Sequence, residues 1–168
     1  ALALWWADIN LNGAYITVSH TLTNSKDSNK RRKPYTKTAS GMRTIDIPQD
    51  LVELLAWWRK IQNDNLPQHG NDHYVLSPTD RPLHRSSVNN IINRYADLAG
   101  VHRIKAKELR ASHASLLINQ YNIDILAVSQ RLGHAKPTTT LKYYAQLWRG
   151  RNRTVADRLN GAMGEINH

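Results

Sequence analysis

The run Ala14–Thr23 (AYITVSHTLT) alternates between apolar and polar positions and is rich in β-branched residues, which predicts a strand. Arg43–Ile47 (RTIDI) alternates again and is expected to pair back with it. Pro48 then opens a helix whose apolar face is Leu51, Val52, Leu54, Leu55, Trp57 and Trp58. Asn63–Asp72 reads as a turn-rich loop and Tyr74–Ser77 as a short strand. From there the spacing becomes helical. Ser86 or Ser87 caps a helix through Ala99 that carries Val88, Ile91, Ile92, Tyr95 and Leu98. Further helices are predicted over Lys107–Tyr121 and over Asp124–Leu132, the latter stopped by Gly133. One more starts at Pro137 and carries Tyr143 and Tyr144, and a basic helix is expected over Asn152–Met163. The pattern gives an α+β, mostly α fold: a small antiparallel β-hairpin or sheet against a helical body.

At 168 residues the sequence suits one domain, and 40% hydrophobic residues suffice for a core. The apolar stretch Ala1–Trp6 is already under way at the first residue, so the sequence reads as a piece cut inside an element. With no cysteine, disulfides and thiolate zinc sites are excluded. No apolar run reaches the roughly 18 residues of a membrane span, and a cytoplasmic protein is expected. The 23 Lys and Arg against 13 Asp and Glu leave a net charge of +10, which favours polyanions by counterion release. Much of that surplus sits in Lys26–Arg43, where Asp27 is the lone acid among Lys26, Lys30, Arg31, Arg32, Lys33, Lys37 and Arg43. Such a loop either follows a nucleic-acid backbone or is simply solvated.

Three clusters carry candidate chemistry. Lys107 and Arg110 stand three apart at the start of a helix, so they share a face while Leu109 can turn to the core. Two adjacent cations repel unless an anion fills the gap, and a phosphate there would also meet the positive end of the helix; solvated surface is the alternative. Leu132-Gly133-His134 is a helix stop followed by histidine, which by itself is usually structural. Tyr143 and Tyr144, on an amphipathic helix, are by themselves ordinary packing residues.

Taken together, these pieces resemble a known family. "KELRASHASLL" followed by "VSQRLGHAKPTTTLKYYAQL" is similar to the paired boxes of the tyrosine recombinases, H-x-L-R-H-T-H-A-S and L-G-H-x-x-x-x-T-T-x-x-x-Y-x-H-L. Upstream, "YTKTASGMRTIDIP" resembles the family's lysine-bearing β-hairpin and its S-x-R-x-I-x-[IL]-P strand, and "WWADI" resembles the stretch after its first box. The resemblance runs in order along nearly the whole chain. It implies a catalytic domain over 1–168, with a basic tail or helix over 149–168, that breaks and rejoins DNA without metal or other cofactor through a 3′-phosphotyrosine.

Residue by residue, the resemblance makes Arg110 the second-box arginine on the scissile phosphate and His134 a donor to the same phosphate. Lys37 matches the general-acid lysine, with Lys33 as its substitute. Tyr144 matches the nucleophile, and Tyr143 is its rival. Lys107 stands where the family has histidine, where it can still donate to phosphate but is a poor base at neutral pH. Ala111 and Gln146 replace two further histidines. Lys26, Lys30, Arg31, Arg32, Lys33 and Arg43 are expected to contact DNA, and no metal site is expected. The family's first box, T-G-x-R-x-G-E, has no counterpart in the sequence, so these residues by themselves are expected to cleave poorly. The partners implied are double-stranded DNA and, for the full-length protein, a homotetramer on DNA, with the piece alone monomeric. The wording of the boxes is closest to integrases of phages and mobile elements, acting in DNA integration and recombination. Competing readings are a helix-turn-helix regulator, which leaves the hairpin unexplained, an accessory factor with a degenerate site, and a metal-dependent nuclease, for which the carboxylates are too scattered.

Overall fold

The computed structural model describes residues 2–23, 32–33, 41–68 and 70–144, the side chains of 142–144 excepted. Five short strands, β1 (Ile9–Asn10), β2 (Tyr15–Val18), β3 (Thr21–Leu22), β4 (Arg32–Lys33) and β5 (Arg43–Asp46), are followed by five helices. These are α1 (Gln49–Asn65), α2 (Arg85–Leu98), α3 (Glu108–Asn119), α4 (Ile125–Leu132) and α5 (Pro137–Tyr144). The expected α+β, helix-dominated plan holds.

The pairing expected between the two alternating runs is present, antiparallel, with Tyr15 opposite Asp46 and Val18 opposite Arg43. β1 extends that sheet in the order β1-β2-β5, whereas β3 and β4 form a separate ladder. The single strand expected over Ala14–Thr23 is therefore two, interrupted at Ser19 and His20, whose side chains bond to each other. Tyr74–Ser77 is not a strand; its one β-type pairing among the described residues is an isolated bridge, Trp5 to Tyr74. The physical reason is Gln62, buried in α1, whose amide nitrogen donates to the carbonyls of Tyr74, Val75 and Ser77. A side chain takes the acceptors that a neighbouring strand would use. Its carbonyl oxygen in turn accepts from Trp6 Nε1 at 2.8 Å, which joins the amino-terminal segment to α1.

Two apolar clusters hold these parts. Trp6, Ile9 and Val75 gather Leu4, Leu11, Ile16, Leu55 and Trp58 around the sheet, and Ala114, Ile118, Val128 and Leu132 join α3 to α4. The broad face expected on α1 is narrower than its composition, since Leu54 and Trp57 are exposed while Val52 is buried. α2 buries Ala96 and leaves Ile91, Tyr95 and Leu98 exposed. Leu109 also stays outside, because α3 meets α4 one turn later, at Ala114 and Ile118. The cap of α2 is His84, whose ring accepts from the Ser86 amide, rather than a serine. Asp124 caps α4 by accepting from the Ala127 amide at 2.9 Å, at the boundary its sequence predicts. Among the described residues no helix is long and apolar enough to cross a membrane. The expected helix over Asn152–Met163, and the tail over 149–168, lie outside the described residues.

Candidate active site

The site is organised by the end of α4. Gly133 adopts φ 68°, ψ 41°, a left-handed conformation that glycine reaches without strain. Its amide donates to the Gln130 carbonyl at 2.9 Å and the His134 amide to the Ser129 carbonyl at 3.0 Å. This is the Schellman arrangement, and it fixes the backbone of His134 just past the helix. A helix leaves its last four carbonyls without partners inside the helix. The two that remain here are taken by arginines from elsewhere. Arg43 Nε, on β5, donates to the Arg131 carbonyl at 2.7 Å, and Arg110 Nη2, on α3, donates to the Leu132 carbonyl. All four ends are thus satisfied.

A cavity of about 370 Å³ opens beside this turn, lined by Lys107, Arg110, Ala111, Leu132, His134 and Thr139 among others. The structure therefore brings together Arg110, His134 and Lys107, three of the residues singled out in the sequence. The lining carboxylate, Glu108, accepts from the Lys105 amide at 2.8 Å, in the segment that leads into its own helix. Neither Arg43 nor Arg110 has an ion-pair partner among the described residues. Arg110 stands near enough for its charge, after burial, to lower the Arg43 pKa, and like charges repel. A helix carboxyl end returns only about 0.3–1 kcal/mol per cation. The residual repulsion favours an anion in the cavity, and the planar guanidinium is built to fork onto phosphate.

Burial, and then the charge of Arg110, holds Arg43 below its ordinary arginine range, and burial lowers Arg110. Burial first, then Arg110 and Arg43, push the His134 imidazole below its usual range. His134 Nδ1 lies 2.7 Å from the hydroxyl of Thr140, which is fully buried, leaving Nε2 for a ligand. Thr140 was not singled out in the sequence; the signal was its place in the Thr-Thr pair six residues after His134.

The lowered histidine has a consequence for stability. A folded pKa below the unfolded one stabilises the fold above the unfolded value of 6.5, and that contribution is lost as pH falls through the folded value. His20 and His113 shift the same way, burial being the first cause in each. The thermal midpoint is therefore expected to fall between about pH 7.5 and about pH 5.5, and His134→Gln to shrink that fall, as calorimetry can measure. An unchanged fall in the variant removes His134 from the explanation.

The remaining candidates divide. Arg32 turns inward: its Nη2 donates to Asp8 Oδ1 at 2.8 Å and Oδ2 at 2.6 Å, its Nε donates to the Ala3 carbonyl at 3.0 Å, and its guanidinium lies 3.9 Å over the Trp5 ring. Expected on a DNA-facing loop, it is instead engaged within the fold. Lys33, next to it on β4, is exposed. Lys26, Lys30, Arg31 and Lys37 lie outside the described residues. The backbones of Tyr143 and Tyr144 end α5, which packs against α4; their side chains lie outside the described part.

Among proteins of known identity, the chain is 28% identical over 163 residues to the ICEBs1 integrase of Bacillus subtilis (strain 168), covering 95% of this chain and 44% of that protein. It is 26% identical over 167 residues to the integrase of Staphylococcus phage L54a, covering 94% of this chain and 46% of that one. It thus spans less than half the length of either relative. Its fold matches that of the Tn1549 transposon integrase in complex with circular intermediate DNA, with a TM-score of 0.70 and 20% identity over 94% of this chain and 54% of that one. It also matches the XerA recombinase, with a TM-score of 0.65 and 17% identity over 95% and 50% of the two chains. With the second and third boxes meeting at one basic cavity, and the Phage integrase family matched over residues 1–149, the chain belongs to that family of tyrosine recombinases.

Proposed function

We propose that this chain carries the reaction centre of an enzyme that integrates or excises a mobile element by site-specific recombination of double-stranded DNA. The observation that supports it most is the convergence of Arg110, His134 and Lys107 on one cavity whose arginine lacks an ion-pair partner among the described residues. In this reading a scissile phosphate occupies the cavity. Arg110 forks onto its non-bridging oxygens, and His134 Nε2 and Lys107 donate to the same group, so that the extra negative charge of the pentavalent phosphorane meets fixed donors.

Tyr144 is the nucleophile. Its phenol proton passes to solvent, its oxygen forms the new bond to phosphorus as the bond to the 5′-oxygen breaks, and Lys37 gives that leaving oxygen its proton. A free 5′-hydroxyl reverses the step and releases the tyrosine, so no phosphate-bond energy is lost and no metal is needed. Forming phenolate from tyrosine at pH 7 costs about 4 kcal/mol, which the positive field of the cavity offsets. Lys26, Lys30, Arg31 and Lys33 strengthen the grip on DNA, whereas Arg32 serves by holding β4 against the amino-terminal segment and Arg43, also expected on DNA, by bonding the end of α4. The full-length protein acts as a homotetramer on DNA, and these 168 residues alone as a monomer. Since they contain no T-G-x-R-x-G-E box, by themselves they bind DNA but cleave it poorly.

The test is covalent capture. A version extended at its amino terminus to supply the first-box arginine is incubated with nicked duplex DNA bearing the element's end, in the presence of a chelator. A protein–DNA adduct resistant to denaturant is expected. DNA binding without any adduct would instead favour an accessory factor whose site has been weakened at Lys107 and Ala111.

A further inference from the structure

The end of α4 is held from two sides, and only one of them belongs to the recognised catalytic set. Arg43 Nε donates to the Arg131 carbonyl at 2.7 Å while its Nη1 donates to the Gly41 carbonyl at 3.0 Å. In the reverse direction, Arg131 Nη1 donates to the Asp46 carbonyl at 3.0 Å. The two arginines thus form a reciprocal clasp between β5 and the last turn of α4. On the next carbonyl, that of Leu132, sits Arg110. Arg43 is not among the residues lining the cavity, so it meets the site through the helix end and not by touching a ligand.

We propose that Arg43 is a positioning residue: by clasping the Arg131 carbonyl it fixes the turn on which Arg110 and His134 are set, so that both present donors to one phosphate. The proposal rests on the reading of the cavity as a phosphate site. Three features carry it. The contacts come from a strand 88 residues away in sequence, so they tie the sheet to the site and not merely the helix to itself. The carbonyls of Arg131 and Leu132 are adjacent, so movement of one displaces the other and with it the anchor of Arg110. His134 follows Leu132 by two residues through a glycine, and its amide bonds back to Ser129 in the same turn. The charge of Arg43 also reaches His134, which it helps to push down.

A clasp and a distant charge make different demands on the replacement. Glutamine keeps one donor but removes the charge and the fork. Lysine keeps the charge but its single ammonium cannot serve both the Arg131 and the Gly41 carbonyls in the guanidinium geometry. Lys60, exposed on α1, provides an equal loss of charge elsewhere through Lys60→Gln.

The 168-residue chain and each variant are titrated with inorganic phosphate at constant ionic strength and pH. The His134 ring resonances report binding by NMR and are identified by their loss in His134→Gln. Saturable binding is expected in the wild type, weakened about threefold in Arg43→Lys and about tenfold in Arg43→Gln, as for a lost charge-assisted hydrogen bond, and unchanged in Lys60→Gln. Wild-type midpoints in a folded Arg43→Gln overturn the positioning role and leave the phosphate site standing. No saturable response in the wild type overturns both. If Arg43→Gln does not fold, Arg43→Lys decides: a midpoint equal to that of the wild type overturns the clasp. Weakening in the Arg43 series together with absence of any DNA adduct would leave the clasp supported and the proposed reaction rejected.

Discussion

Arg110→Ala is expected to slow covalent capture of nicked DNA by about 10³–10⁵-fold, or about 4–7 kcal/mol in the barrier, by analogy with removal of an arginine finger. The loss has two sources. The phosphorane carries more negative charge than the phosphodiester, so a guanidinium in the cavity favours the transition state over the ground state. Arg110 also donates to the Leu132 carbonyl, and its removal leaves that helix end to water. The first source far exceeds the second, because a lost neutral-acceptor bond at a part-exposed helix end is worth about 1–3 kcal/mol at most. Arg110→Lys is expected to recover little, since a point charge cannot hold phosphate and carbonyl at once. Single-turnover adduct formation, with folding checked by circular dichroism, measures the effect. A rate within tenfold of the wild type would remove Arg110 from the reaction.

Asp8→Ala is expected to destabilise the fold by about 3–5 kcal/mol, the cost of leaving a buried charge without its partner. The side chains of Arg32 and Asp8 are only 11% and 10% exposed, so screening by water and salt is weak and the small worth of surface pairs does not apply. Without Asp8 the guanidinium keeps the Ala3 carbonyl and the face of Trp5, neither of which neutralises it. Asp8 also accepts from the Trp5 amide at 2.9 Å, so the amino-terminal turn loosens at the same time. Urea unfolding gives the number directly. The double variant Asp8→Ala/Arg32→Met, which removes both charges, is expected to regain much of the loss. A single-variant change below about 1 kcal/mol would mean that Arg32 reaches solvent readily and is free to face DNA after all.

What could be read in the sequence, and what could not, follows from the range of the forces involved. The β2–β5 pairing and helices α1 to α5 were legible because alternation, Asp124 as cap and Gly133 as stop act within a few residues. The loss of a strand at Tyr74–Ser77 was not, since the Gln62 amide that claims those carbonyls lies 12 to 15 residues away in sequence, and the break at Ser19–His20 had no mark in the alternating pattern. Arg110, Lys107 and His134 were legible as a set only because three ordinary fragments occur in one order. Arg43 and Arg32 carried no such mark of their true engagements. Both are cations in a basic stretch, and their partners, the Arg131 carbonyl and Asp8, are chosen by tertiary packing across 88 and 24 residues. Thr140 falls between these cases: its motif position was visible, but its bond to His134 depends on α5 folding back onto α4.

The most direct measurement is to locate the DNA on the protein after covalent capture. Wild type, Tyr144→Phe and Tyr143→Phe forms of the amino-terminally extended protein are incubated with the nicked duplex and chelator, and the adducts are digested and mapped by mass spectrometry. The expected result is a 3′-phosphate linked to Tyr144, an adduct retained in Tyr143→Phe and lost in Tyr144→Phe. An adduct that survives Tyr144→Phe, or the absence of any adduct despite DNA binding, would contradict the reaction proposed for this site.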